Sequence, residues 1–161
     1  MTEKLIGREY ECEELKRCLE SDRSELVIVY GRRRIGKTFL IEQYFEKHFD
    51  FWFVGVRGLT TKNQLRRFAK VLKEYSGVSS YHFSDWFDAF DALQDYLEHM
   101  PDGKKKVVFI DEMPWMDTQR SNFVNALETF WNGWGNRRTD IMLIATGSAT
   151  SWMADKIEAN Q

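Results

Sequence analysis

Short continuous apolar runs alternate along this chain with segments whose apolar residues recur at helical spacing. Leu26-Val27-Ile28-Val29-Tyr30 reads as a first buried strand, and Phe39 to Phe45 follows it as a helix. Phe51 to Val56 reads as a second strand, ended by Arg57-Gly58. Thr60-Thr61-Lys62-Asn63 marks a helix start, with Leu65, Phe68, Ala69, Leu72 and Tyr75 on the apolar face and a stop at Gly77. Ser84 or Asp85 caps a further helix, in which Phe87, Phe90, Leu93 and Leu97 share the core face. After the turn Pro101-Asp102-Gly103, Val107 to Ile110 is a third strand. Met113 to Thr118 reads as a loop. A helix from about Ser121 then carries Phe123, Ala126, Leu127, Phe130 and Trp131, and Ile141 to Ala145 is a fourth strand. Ahead of all these, Tyr10 to Leu19 forms an amphipathic helix expected to lie on the sheet edge. Strands alternating with helices predict an α/β chain with a parallel sheet.

Composition changes this picture little. With 161 residues, 43% hydrophobic and 30% charged, the chain has the make-up of one ordinary globular domain spanning 1–161. The 15% of aromatic residues predicts a core built on large rings. A net charge of −2 gives no global electrostatic case for nucleic acid or an anionic membrane. No apolar run reaches membrane-spanning length, and Met1-Thr2-Glu3-Lys4 lacks a signal-peptide core, so the expected compartment is the cytoplasm. Cys12 and Cys18 are expected to be reduced thiols. His48, His82 and His99 are too scattered for a metal cluster.

The candidate chemistry begins at Gly31-Arg32-Arg33-Arg34-Ile35-Gly36-Lys37-Thr38, which fits the phosphate-binding pattern G-x-x-x-x-G-K-[ST] between a strand and a helix. Gly31 and Gly36 let the backbone turn and bring its N–H groups against phosphate oxygens. Lys37 is placed to reach the β- and γ-phosphates, and the Thr38 hydroxyl to join a Mg²⁺ shell. The positive end of the following helix dipole favours an anion there. Gly31, Arg32, Arg34, Ile35, Gly36, Lys37, Thr38 and Phe39 are thus the expected nucleotide contacts of this stretch. The arginines Arg32, Arg33 and Arg34 add phosphate or partner contacts or form a solvated charge cluster; both readings stay open.

A second stretch has the shape of a Walker B segment. Val107-Val108-Phe109-Ile110-Asp111-Glu112 is a hydrophobic strand ending in two carboxylates, at the sheet end where open α/β sheets bind ligands. Asp111 is expected to hold Mg²⁺ with Thr38, and Glu112 to orient or deprotonate the attacking water. Thr146-Gly147-Ser148 ends the fourth strand with two hydroxyls; either Thr146 or Ser148 is a candidate γ-phosphate or water sensor, against the alternative of a plain strand-ending turn. The Lys104-Lys105-Lys106 run precedes the third strand and belongs to the opposite end of the sheet. A solvated edge is the favoured reading there, ahead of a nucleic-acid contact.

Taken together, Gly7-Arg8-Glu9, the GRRRIGKT loop, VVFIDEMPW with its FVNALETFWNGW helix, and IATGSATSWM resemble the archaeal-type P-loop ATPase family. That family is also widespread in bacteria and related to AAA+ and STAND ATPases. The resemblance implies a three-layer P-loop NTPase fold with sheet order 5-1-4-3-2, of which only four strands are legible here, and an ATPase domain that stops before a helical lid. It implies that Gly7 and Arg8 lie near the adenine, that the cofactors are ATP/ADP and Mg²⁺, and that self-association or a C-terminal effector domain accompanies the domain. Related ATPases carry an arginine finger, for which Arg137 or Arg138 is a candidate beside the reading of a solvated basic turn. Two functions are carried forward: Mg-dependent ATP hydrolysis, and a nucleotide-gated switch that binds ATP with little turnover. A small-molecule kinase is a third, for which no phosphoacceptor pocket is visible.

Overall fold

The computed structural model describes residues 9–30 and 36–147. Gly7, Arg8, Gly31, Arg32, Arg33, Arg34, Ile35 and Ser148 lie outside the described residues, as does the side chain of Lys37. The elements in chain order are α1 (Glu9–Glu20), β1 (Glu25–Tyr30), α2 (Lys37–Tyr44), β2 (Phe51–Val54), α3 (Thr61–Ser76), α4 (Trp86–Glu98), β3 (Lys106–Asp111), α5 (Phe123–Gly133) and β4 (Ile141–Gly147). Short 3-10 helices cover Met113–Met116 and Gly135–Arg137.

The strands form one sheet in the order β1-β4-β3-β2, and every pairing is parallel. Residues of β3 and β4 are buried throughout, as expected for central strands covered on both faces. Strand alternation sorts their side chains into two cores. Val107, Phe109, Met142 and Ile144 meet Leu15, Cys18, Ile41 and Phe49 on one face. Val108, Ile110, Leu143 and Ala145 meet α3, α4 and α5 on the other. Helix α1 therefore covers a face of the sheet through Leu15 and Cys18, not its edge, because those two residues share one helical stripe.

The second core is organised around rings. Phe68 is fully buried, with ring centroids 5.1 Å from Phe51, 5.0 Å from Phe53, 5.5 Å from Trp86 and 5.9 Å from Phe90. Such tilted and edge-on pairs add roughly 0.5–1.5 kcal/mol each beyond the area they bury. Asp85, not Ser84, caps α4 by accepting from the Asp88 amide at 2.8 Å. That start puts Trp86, Phe90, Leu93 and Leu97 inward and leaves Phe87 at 36% exposure, so Phe87 is not a core residue. Thr60 caps α3 by accepting from Asn63, and Gly77 ends that helix in a left-handed conformation. Tyr75 is 37% exposed at the end of the same helix, its ring 5.4 Å from Phe51.

The Lys104-Lys105-Lys106 run sits at the amino end of the sheet, and it is not a solvated edge. Lys106 is 2% exposed and pairs with Asp140 at 2.8 Å. Lys105 donates to the Cys18 carbonyl at 2.6 Å, the Ser21 hydroxyl at 2.8 Å and the Arg23 carbonyl at 2.7 Å. Only Lys104 is exposed. Arg138 forks onto both Asp140 oxygens at 2.8 Å and lies 5.1 Å from the Trp134 ring, so its guanidinium is held at this same end. Arg137 is exposed beside it.

Candidate functional site

Parallel strands bring their carboxyl ends together, and here those ends carry Asp111 and Thr146. Ile110 faces Ala145 across the β3–β4 ladder, so Asp111 and Thr146 come one step further along it. Alternation turns both side chains to the face covered by α1 and α2. Helix α2 starts at Lys37 after Gly36, whose backbone is left-handed at φ 74° and ψ 25°. A residue with a Cβ is strained there, which is the reason for glycine at this turn. Among the described residues no side chain caps α2 and no acidic residue lies in its first turn, so its terminal N–H groups suit an anion.

The Thr38 hydroxyl, on the first turn of α2, lies 3.1 Å from each oxygen of Asp111. From the other side, the fully buried Thr146 hydroxyl donates to the same carboxylate. Thr146 Oγ1 also accepts the Glu112 N–H at 3.1 Å. One carboxylate, itself 3% exposed, thus joins β3, β4 and α2, three elements far apart in the chain. Two hard oxygen donors, a hydroxyl and a buried carboxylate, suit Mg²⁺, which takes few protein ligands and leaves its other positions to water and phosphate. The described residues contain no group of three or more His, Cys, Asp or Glu that would hold a metal by themselves.

Glu112 follows directly in a left-handed conformation, φ 56° and ψ 47°, an uncommon backbone for a non-glycine residue. Its Oε1 is buried and has no hydrogen-bond partner among the described residues. A buried carboxylate oxygen without a donor is costly, and such exceptions gather at sites that act on a ligand. Phe39 is 43% exposed on the outer side of the first turn.

Two residues that support this loop have no motif to announce them. Gly55, just past β2, donates to the Asp111 carbonyl at 2.8 Å; a Cβ at this position would lie 2.6 Å from the Glu112 carbonyl oxygen. Gln64 is fully buried in α3 and bonds both backbone groups of Val56, at 2.6 and 3.3 Å, and the Trp115 carbonyl at 3.2 Å. A polar residue inside the apolar stripe Leu65-Phe68-Leu72 was the one available signal for Gln64.

An all-parallel sheet in this order, with a glycine-turned helix after β1 beside the acidic end of β3, defines a P-loop NTPase fold. A family model described as an ATPase domain predominantly from Archaea matches residues 5–160, and the chain belongs to that family. An ATPase-type function goes with it. An uncharacterized protein of Methanocaldococcus jannaschii is 28% identical over 152 residues, covering 94% of this chain and 31% of the relative. An uncharacterized ATP-binding protein of the same organism is 44% identical over 41 residues, 26% of this chain and 70% of the relative.

Among solved structures, the Walker-type ATPase of Pyrococcus abyssi superposes with a TM-score of 0.60 at 19% identity, covering 96% of this chain and 48% of that one. The Orc1 protein of Aeropyrum pernix, in complex with DNA, gives 0.62 at 16% identity, covering 99% and 41%. These likenesses concern the fold. The chain spans about a third of the longer curated relative and under half of either solved structure. Among the described residues no helix is long and apolar enough to cross a membrane.

Proposed function

We propose that the chain binds ATP with Mg²⁺ at the carboxyl end of its sheet and hydrolyses it by in-line attack of water on the γ-phosphate. The observation that carries this reading is the Asp111 carboxylate held between the hydroxyls of Thr38 and Thr146, next to a buried and unpartnered oxygen of Glu112. Thr38 and Asp111 are the residues that would hold the metal, which when bound neutralises phosphate charge. In this reading the residues Gly31 to Phe39 would supply the phosphate contacts, Lys37 those to the β- and γ-phosphates, and Gly7 and Arg8 those to the adenine side. Glu112 accepts the proton of the attacking water and orients it. Thr146 fixes the Asp111 carboxylate and the Glu112 amide together, the positioning role that hydroxyl is suited to; Ser148 is the further candidate for contact with the γ-phosphate.

Binding and turnover measured on Glu112→Gln and Lys37→Ala test this. Glu112→Gln is expected to keep Mg-ATP affinity and lose roughly 10²–10⁴-fold in turnover, the usual contribution of a general base. Lys37→Ala is expected to lose tight nucleotide binding itself. Undiminished turnover in Glu112→Gln removes that residue from the base role. Tight ATP binding with negligible turnover in the unaltered chain moves the switch reading ahead of hydrolysis.

A further inference from the structure

Helix α3 carries five cationic side chains, Lys62, Arg66, Arg67, Lys70 and Lys73, against the one carboxylate of Glu74. All five are exposed, although the chain as a whole has a net charge of −2. Lys62, Arg66 and Lys70 follow at i, i+4 steps, and Lys73 continues the same stripe. Like charges at that spacing destabilise a helix by a few tenths of a kcal/mol per pair. Lys62 also lies in the first turn, where the dipole disfavours a cation and no acidic residue compensates it. Among the described residues, no ion pair involves any of the five. At the start of the following helix, Asp85 accepts from the Asp88 amide and Asp88 from the Ser84 amide. Lys73 lies in the last turn, where the helix dipole favours a cation, but for the remainder of the stripe the like charges cost the helix stability.

Beside the stripe lies a cavity of about 490 Å³, whose far wall is the segment Ser80-Tyr81-His82-Phe83. Tyr81 and Phe83 stack at 5.4 Å, and both are docked: the Tyr81 hydroxyl bonds Ser76 Oγ at 2.8 Å, and Phe83 meets the Phe68 ring at 6.1 Å. A row of unpaired cations facing a wall of fixed rings is what a nucleic-acid strand requires. The phosphates run along the cations while a base takes the aromatic wall. An α-helical i, i+4 step advances about 6 Å, so the stripe from Lys62 to Lys73 extends over roughly 16 Å of backbone.

We propose that the groove between α3 and the Ser80–Phe83 segment is a docking site for a single strand of nucleic acid, distinct from the nucleotide site at the sheet end. Duplex nucleic acid, anionic membrane and acidic polypeptide share the charge requirement and not the need for a ring-walled cavity.

Fluorescence anisotropy of a labelled oligothymidylate, titrated with the chain over a range of salt concentrations, tests the proposal. The unaltered chain should bind the single strand more tightly than a duplex of equal length, poly-glutamate or phosphatidylserine–phosphatidylcholine vesicles. The fourfold variant Lys62→Ala, Arg66→Ala, Lys70→Ala, Lys73→Ala should weaken binding about tenfold or more and lower the slope of log K against log salt by about 3, at about 0.7 per phosphate contact. Relief of the like-charge repulsion offsets the loss of Lys73 from the last turn, so the variant should melt close to the unaltered chain and keep its ATP affinity. Phe83→Leu should weaken binding with the slope unchanged, whereas Lys104→Ala should do neither. Unchanged affinity and slope in the fourfold variant overturn the proposal, and so does equal or tighter binding of the duplex, the vesicles or poly-glutamate. ATP binding is read separately, so loss of one activity does not stand in for loss of the other.

Discussion

Both ends of the sheet bury charged side chains, and those side chains are satisfied to very different degrees. At the amino end, Lys106, Arg138 and Asp140 form a closed set in which each charge has a partner, and Lys105 is held by three oxygens. The Arg138 fork, with Lys106 behind it, brings the Asp140 carboxyl down to about 2. At the carboxyl end, among the described residues, Asp111 bonds the hydroxyls of Thr38 and Thr146, no side chain caps α2, and Glu112 keeps a buried oxygen without a donor. At the first end every charged group named is held by oxygens or nitrogens of the protein itself. At the second, no cation among the described residues pairs with Asp111 or Glu112. The difference shows that burial of a charged group says little about function until its partners are counted.

The comparison breaks most sharply at Asp140. Asp140→Ala leaves Lys106 buried without its carboxylate and is expected to cost about 3–5 kcal/mol. Chemical denaturation should record that loss while ATP affinity measured below the transition stays unchanged. A loss of affinity equal to the loss of stability would mean that the two ends are not independent.

Gly55→Ala sharpens the comparison from the other side. The new Cβ meets the Glu112 backbone at 2.6 Å and Met116 at 3.2 Å, so the loop after β3 must shift. Overpacking of this kind costs about 1–3 kcal/mol. Turnover should fall by more than the small change in folded fraction explains, because the displaced backbone is that of Glu112. Stability lost with turnover per folded molecule retained would detach Gly55 from the site.

Acid gives the smallest effect. The Asp140 carboxyl lies below its ordinary value of 3.8, so its contribution is complete above about pH 4 and disappears as pH falls through about 2. Allowing for its partial exposure, that contribution is about 1–2 kcal/mol. Unfolding followed by circular dichroism between pH 5 and 2, ranges taken from those values, should show this loss in the unaltered chain and not in Asp140→Asn.

Most of the frame was legible in the residues. The four strands and five helices fall where apolar period and caps place them, because a strand buried on both faces and a helix buried on one leave different repeats. Errors came where a pattern admits a neighbouring solution. Phe87 and Trp86 both suit the α4 stripe until the Asp85 cap sets its phase. Three consecutive lysines read as solvent-facing, although Lys106 begins a strand covered on both sides and turns inward to Asp140. At the candidate site, Asp111, Thr38 and Thr146 could be named from motif and strand end, whereas Gly55 carries no local signal and Gln64 only its polarity within an apolar stripe. Their roles depend on backbone approaches between segments distant in sequence.

By itself, the order of apolar runs, glycines and carboxylates determined an α/β chain with phosphate-binding chemistry after its first strand and acidic chemistry after its third, since period and turn geometry are local properties. Only the tertiary structure decided which charges find partners. Lys106 meets Asp140, and Asp111 is shared by Thr38 and Thr146, while the α3 cations and Glu112 Oε1 find no partner among the described residues. The reason is that a charge's energy depends on what folding brings within a few ångströms of it, and the neighbours that decide it come from elsewhere in the chain.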